Sequence, residues 1–188
     1  MNIANKSVVC KIFVVATVGA LSLFSQVKAE DMFFRIDGID GDSSDPKHSR
    51  WIDLTGFGHG AVQSVTAEEN GRGVFDPVFI RHRVDRATPK FQEACMKGMR
   101  IGSGEIECCR EVSGAQTVVY KVSLEGIKIA EAHVTAEKGE DGSSQLFEEV
   151  KMLVNKETWT TRTFSASGDG AEPVVTECNS DMEEPENK

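Results

Sequence analysis

From Met32 to Phe164 the chain alternates apolar and polar residues in short runs separated by clusters of Gly, Asp and Asn. The clearest run is "TVVYKVSLEG" (117–126), where Val118, Tyr120, Val122 and Leu124 face one way and Lys121, Ser123 and Glu125 the other. That two-residue period is the mark of a half-buried strand. "DMFFRI", "RWIDLTGFGHGAV", "VFDPVFIRHRV" (74–84) and "MRIGSGEIECCREV" carry the same signal before it, and "IKIAEAHVTAE", "LFEEVKMLV" and the Thr- and Trp-bearing "ETWTTRTF" carry it after. In "LFEEVKMLV" the period puts Leu146, Val150, Met152 and Val154 on one side; Pro77 suits an edge or a bulge in its strand. Strands this short and this regularly spaced predict a mainly β fold, a small barrel of antiparallel strands. Closing the sheet removes the unpaired edges that promote aggregation.

One segment breaks the period. In "DRATPKFQEACMKGMR", Thr88 is the expected N-cap, Pro89 the first helical residue and Gly98 the stop, with Phe91, Ala94 and Cys95 sharing a face. The spacing predicts one short α-helix plugging an end of the barrel. Residues 165–188 are acidic and rich in Gly and Pro, and read as an unstructured tail. Residues 1–29 open with Lys6 and Lys11, continue with the apolar run "IFVVATVGALSLF" (12–24) and end on Val27-Lys28-Ala29. Those are the three parts of a secretory signal peptide, with an apolar stretch shorter than the roughly 20 residues of a membrane span. The expected domain is therefore residues 30–164, exported to the periplasm or beyond, with no membrane contact after cleavage.

Charge and cysteines narrow the function. Removing the leader takes away three lysines and no acid, which moves the net charge from −9 to −12. A chain so acidic is no partner for nucleic acid, which needs clustered Lys and Arg. An oxidising compartment lets disulfides persist, and four cysteines remain after the leader: Cys95, Cys108, Cys109 and Cys178. Three pairings are open to them, and the sequence does not choose. On a strand, Cys108 and Cys109 point to opposite faces.

Reactive motifs do not emerge. His48, His59, His82 and His133 lie on separate elements without the i, i+4 or His-x-His spacing of a metal site, and read as packing or surface residues. "GFGHG" (56–60) and "GRG" (71–73) precede no helix and so make no phosphate cradle. Glu148 and Glu149 fall on alternate strand faces and cannot act as a jointly placed acid and base. The expectation is a non-enzymatic protein without cofactor or metal.

The Asp-rich stretch "DMFFRIDGIDGDSSDPKHSRWIDL" (31–54) fits no calcium loop: counted from Asp40, position 6 is Asp45 where Gly is required, and position 12 is Trp51. Its Asp and Gly residues instead suit a turn that caps its own amides. The stretch resembles the start of the haemolysin-coregulated protein (Hcp) family, the tube subunits of the type VI secretion system. The resemblance lies in Asp31-Met32-Phe33, Arg35-Ile36-Asp37-Gly38-Ile39, the turn Gly41-Asp42-Ser43-Ser44-Asp45, His48 and Ile52-Asp53. The later order is similar too: a Gly-rich extended loop (about 58–72), the strand "VFIRHRVD", a Thr-Pro helix, then "YKVSLEGIKIAEAHV" and "EEVKMLV".

The resemblance implies a structural subunit that forms hexameric rings with itself, stackable into a tube. A sheath and a spike protein of the VgrG kind would be its partners, and effectors its cargo. Ring and stacking contacts are then expected on the Gly-rich loop through Gly58, Gly60, Gly71 and Gly73, with Trp51 and Phe57 as aromatic anchors. Tube subunits of that family carry no cleaved leader. The leader here therefore leaves a second setting open: an exported binding or adhesion module on the same barrel, outside any secretion tube.

Overall fold

A computed structural model of the chain describes residues 30–65, 70–139, 141–164, 170 and 173–179; the leader lies outside them. In chain order the elements are β1 (Asp31–Ile36), β2 (Ile52–Val65), β3 (Asn70–Arg83), α1 (Thr88–Lys97), β4 (Arg100–Val112), β5 (Ala115–Lys138), β6 (Ser144–Leu153), β7 (Lys156–Thr161) and β8 (Val174–Asn179). The strands run β4-β1-β2-β3-β6-β5-β7-β8, and β4 also pairs with β5. That last pairing closes six strands on themselves as an antiparallel barrel, as the alternation predicts.

The interior is made by the inward positions of each strand. Phe34 and Ile36 of β1, Ile80 of β3, Ile106 of β4, Val122, Leu124 and Ile127 of β5, and Val150 and Met152 of β6 form one buried cluster. Each such side chain contributes roughly 1.5–3 kcal/mol by leaving water. Helix α1 adds Phe91 and Ala94 to the same cluster, and Phe91 stacks on Phe34 at 6.5 Å between ring centres. Gly98 ends the helix in a left-handed conformation (φ 60°), donating to the carbonyls of Ala94 and Cys95.

Four expectations need correction. The N-cap of α1 is Ala87, one residue before Thr88, with no side-chain cap; Thr88 is already helical, and the Asp85 carboxylate accepts from the amide of Ala87 at 2.9 Å in the turn before it. The runs at 117–126 and 127–137 are one strand of 24 residues, β5. Its first half pairs with β4 on one edge and β7 on the other, and its second half pairs with β6. Gly126 (φ 66°) marks the change of course, and a Cβ there would press on the Asn155 side chain at 2.8 Å. The Gly-rich segment expected as a loop is instead two paired strand arms, with Val62 opposite Val74 and Gln63 opposite Gly73. Finally, the expected unstructured tail contains β8, which pairs with β7 from Lys156↔Asn179 to Thr161↔Val174. The β-branched Val174, Val175 and Thr176 suit that pairing despite their acidic surroundings.

Pro77 sits as expected at an irregularity: the β2–β3 register jumps between Gly58↔Phe79 and Gly60↔Asp76. Cys95, Cys108 and Cys109 are free thiols; the side chain of Cys178 lies outside the described residues. No described helix is long and apolar enough to cross a membrane.

Candidate functional site

Two features stand apart from the barrel core: the arm formed by β2 and β3, and a histidine-centred cluster beneath the Asp-rich turn. The arm begins where the barrel pairing stops. β2 pairs with β1 only at Ile52, Asp53 and Leu54, and β3 with β6 only from Val78 to Arg83. Beyond those points the two strands pair with each other, as far as Val65↔Asn70. Val62 and Val74 face each other across the arm, 50% and 60% exposed. Added Cβ atoms on Gly56 and Gly58 would meet nothing within 4 Å, so these glycines leave open ground beside the barrel mouth.

The arm brings together Phe57, Gly58, Gly60, Gly71 and Gly73, five of the six residues expected at an interface. Phe57 is partly buried against the core, its ring 6.4 Å from Tyr120 and 6.2 Å from His59. Trp51 lies elsewhere, at the end of the Asp-rich turn, with the Arg35 guanidinium 5.3 Å from its ring.

A polar network anchors the arm to the barrel. His59 Nδ1 lies 3.1 Å from Glu157 Oε2, His59 Nε2 lies 2.6 Å from the Tyr120 hydroxyl, and Trp159 Nε1 donates to Glu157 Oε2 at 2.7 Å. Glu157 is fully buried and its Oε1 has no partner. Burial, the larger influence, and the nearby Cys108 and Glu157 push the Tyr120 hydroxyl up, so it remains a protonated donor.

The Asp-rich turn does what its composition predicts. Asp45 Oδ1 accepts from the amides of Lys47 (2.9 Å) and His48 (3.0 Å). The turn folds back onto β2 through Gly41 N to Arg50 O and Ser43 N to Trp51 O, both 2.9 Å. This lays the His48 ring flat on Phe33, 3.8 Å between centres and 4° from parallel. His48 Nδ1 donates to Asp45 Oδ1 at 2.7 Å, and its Nε2 faces Glu107 Oε2 at 3.1 Å and Cys109 Sγ at 3.9 Å. Burial works against a charged Asp45, but hydrogen bonds from His48, Gln116 and the two amides outweigh it and hold the carboxyl low. Burial pushes the Cys109 thiol up to about 11, with Glu107 adding to the effect, and the Cys108 thiol up to about 12.

The sequence places the histidines in packing or surface positions. His48 and His82 are buried, His59 is partly buried in its network and His133 is exposed. The grouping of His48 with Glu107 and Cys109 was missed. Half of it was legible, because residues two apart on a strand share a face. The other half depends on docking the turn against β4, 59 residues from His48 to Glu107.

The sequence model of the family described as "Type VI secretion system effector, Hcp" matches residues 33–161. The chain belongs to the Hcp family. Membership makes it a structural protein of the type VI secretion tube kind. Among solved structures, "a type six secretion system protein" is 22% identical with a TM-score of 0.73, covering 80% of this chain and 96% of its own. Hcp1 from Salmonella typhimurium is 20% identical (TM-score 0.65; 80% and 95% covered). The secreted protein Hcp3 from Pseudomonas aeruginosa is 21% identical (TM-score 0.58; 81% and 100% covered). At these identities the likeness is one of fold. No curated protein matches the chain. The residues that carry the match include the Asp-rich turn, the β2–β3 arm and α1, so the elements that stand out physically lie inside the Hcp region.

Proposed function

We propose that this Hcp-family protein is a non-enzymatic subunit that closes into a hexameric ring with copies of itself and serves as a tube component and effector carrier. The carrying observation is the β2–β3 arm with its exposed Val62↔Val74 pair. A closed barrel should present no edges. Among the described strands, however, β2 has no partner on its outer side beyond Leu54, and β5 has none on its β4 side beyond Lys128. β3 is likewise without β6 before Val78, and β8 is paired on one side only; bare edges on different strands of one molecule suit a head-to-tail contact, which forms a ring when the rotation closes. Gly58, Gly60, Gly71 and Gly73 then line the ring and stacking contacts beside Phe57, Trp51 serves as a separate anchor at the end of the Asp-rich turn, and sheath, spike and effector proteins are the further partners.

At tens of micromolar, light scattering after gel filtration is expected to give about six copies per particle. Val62→Asp combined with Val74→Asp should give a monomer of unchanged circular dichroism, because two carboxylates would have to be buried on assembly. A monomeric wild-type protein under these conditions sinks the ring.

The leader supports a second setting, in which the same barrel acts as a binding module outside the cytoplasm. Cleavage after Ala29 would then release the chain from Glu30 onward, with the domain at 30–164 and its first strand, β1, starting at Asp31. Mass spectrometry of the mature chain is expected to find Glu30 as its first residue, in an envelope or medium fraction. An intact leader on cytoplasmic protein refutes export.

A further inference from the structure

We propose that His48, Glu107 and Cys109 form a binding site for a divalent transition-metal ion of the zinc class, with Asp45 positioning the histidine. One ligand atom from each of the three residues lies within 4.8 Å of the others. Glu107 and Cys109 are two apart on β4 and share a face. The turn delivers His48 over that face, pinned by the Phe33 ring beneath it and the Trp51 ring edge-on at 4.9 Å. The site is thus built on a strand and a braced turn, and all three side chains are buried or nearly so: His48 is 3% and Cys109 1% exposed, and the Glu107 side chain 15%.

The chemistry of the donors is selective. A nitrogen, a carboxylate oxygen and a sulfur are the set that zinc(II) and cobalt(II) accept, and three protein ligands leave a fourth position for water. Metal–ligand bonds of about 2.0–2.3 Å in a tetrahedron place the ligand atoms about 3.4–3.6 Å apart. The observed 3.1 Å between His48 Nε2 and Glu107 Oε2 and 3.9 Å between His48 Nε2 and Cys109 Sγ bracket that spacing.

The surroundings point the same way. A histidine that ligates through one nitrogen usually donates its other N–H to a carboxylate, which fixes the tautomer and strengthens the ligand. Here Nδ1 donates to Asp45, which Gln116 Nε2 holds in turn at 3.1 Å. Nε2 then faces a carboxylate oxygen at 3.1 Å, a pairing that either a proton or a metal ion on Nε2 would satisfy. Lys121 Nζ does not fill this place; it lies 3.6 Å from the other oxygen of Glu107, Oε1. A surface groove lined by Glu107, Gln116, Thr117, Lys121 and Arg162 reaches the site at its Glu107 side. On binding, the Cys109 thiol gives its proton to water as its sulfur bonds the metal, so uptake releases protons and tightens as pH rises. A filled site clips the turn to β4 and raises the melting temperature by mass action.

The test is titration of the purified, chelator-treated protein with cobalt(II) in a phosphine reductant. About one equivalent per chain is expected to bind and give the intense near-ultraviolet band of a thiolate–cobalt bond, which zinc(II) then erases by displacement. Cys109→Ser should abolish the band while Cys95→Ser keeps it. Glu107→Gln and Asp45→Asn, whose folding is checked by circular dichroism, should weaken uptake at least about tenfold. No uptake by the folded wild-type protein, meaning that a proton alone links His48 to Glu107, overturns the site. So does a thiolate band that survives Cys109→Ser, or uptake unchanged by both Glu107→Gln and Asp45→Asn.

Discussion

Glu148→Ala is expected to destabilise the protein by about 3–5 kcal/mol, read as a lower midpoint in urea unfolding. Glu148 and His82 sit directly opposite each other on β6 and β3, both fully buried, with Glu148 Oε2 3.0 Å from His82 Nε2. Their other polar atoms are poorly served. Glu148 Oε1 and His82 Nδ1 have no hydrogen-bond partner, and Asp85 Oδ1 stands 3.6 Å from Nδ1. Removing the carboxylate leaves a polar ring stranded against Phe91, whose centre is 5.8 Å away. The pair is thus far more expensive to break than to lose. The double variant His82→Leu/Glu148→Leu, which replaces both partners with apolar groups, should unfold near the wild-type midpoint or above it. A single variant that loses under about 1 kcal/mol would show that water already reaches the pair.

The second large effect belongs to Gly41→Ala. A Cβ on Gly41 would lie 2.3 Å from the carbonyl oxygen of Trp51 and 2.6 Å from Ile52 Cγ1. The first of these is backbone and cannot swing aside, and the Gly41 amide is bonded to Arg50 O in the same fold-back. Overpacking costs roughly 1–3 kcal/mol where side chains can give, and here the expected loss is at or beyond the top of that range. The consequence is local first. The Asp-rich turn lifts, His48 leaves Phe33, and the Cys109 thiol becomes open to alkylation in the folded protein. Gly38→Ala is the useful contrast, since its φ of 76° brings backbone strain but its Cβ would meet nothing within 4 Å. Equal protection of Cys109 in the wild type and Gly41→Ala would remove the packing argument.

The barrel was readable because alternation encodes it directly. In β5 the inward Val122 and Leu124 are buried and Glu125 between the runs is exposed. The helix was readable from Pro89 and Gly98, but its first residue was not, because Thr88 offers a capping oxygen that the chain path leaves unused, starting the helix from Ala87 without a side-chain cap. Glu148 could have been found: the period that selects Leu146 and Val150 runs through it, and an acid on a core face signals a buried partner. β8 was obscured because its β-branched residues Val174, Val175 and Thr176 stand in an acidic, Gly- and Pro-containing stretch, where composition outweighs local propensity. The arm itself was half-readable. Glycines two apart mark the arm, but Trp51, close in sequence, is drawn away by the turn. The His48 cluster required three-dimensional knowledge, since its members meet only after β1, β4 and the turn have come together.

That meeting has a kinetic side. The barrel closes when β1 finds β4, pairing Ile36 with Gly104 and Asp31 with Cys109, residues at least 68 positions apart. Hairpins such as β4–β5 can zip from their turn, but this seam must bring distant stretches together before any contact rewards the search. The β3–β6 seam, whose partners are 64 to 74 positions apart, faces the same search; the β1–β4 seam is the one that shelters both adjacent thiols, and a newly made chain exposes them on that side until it closes.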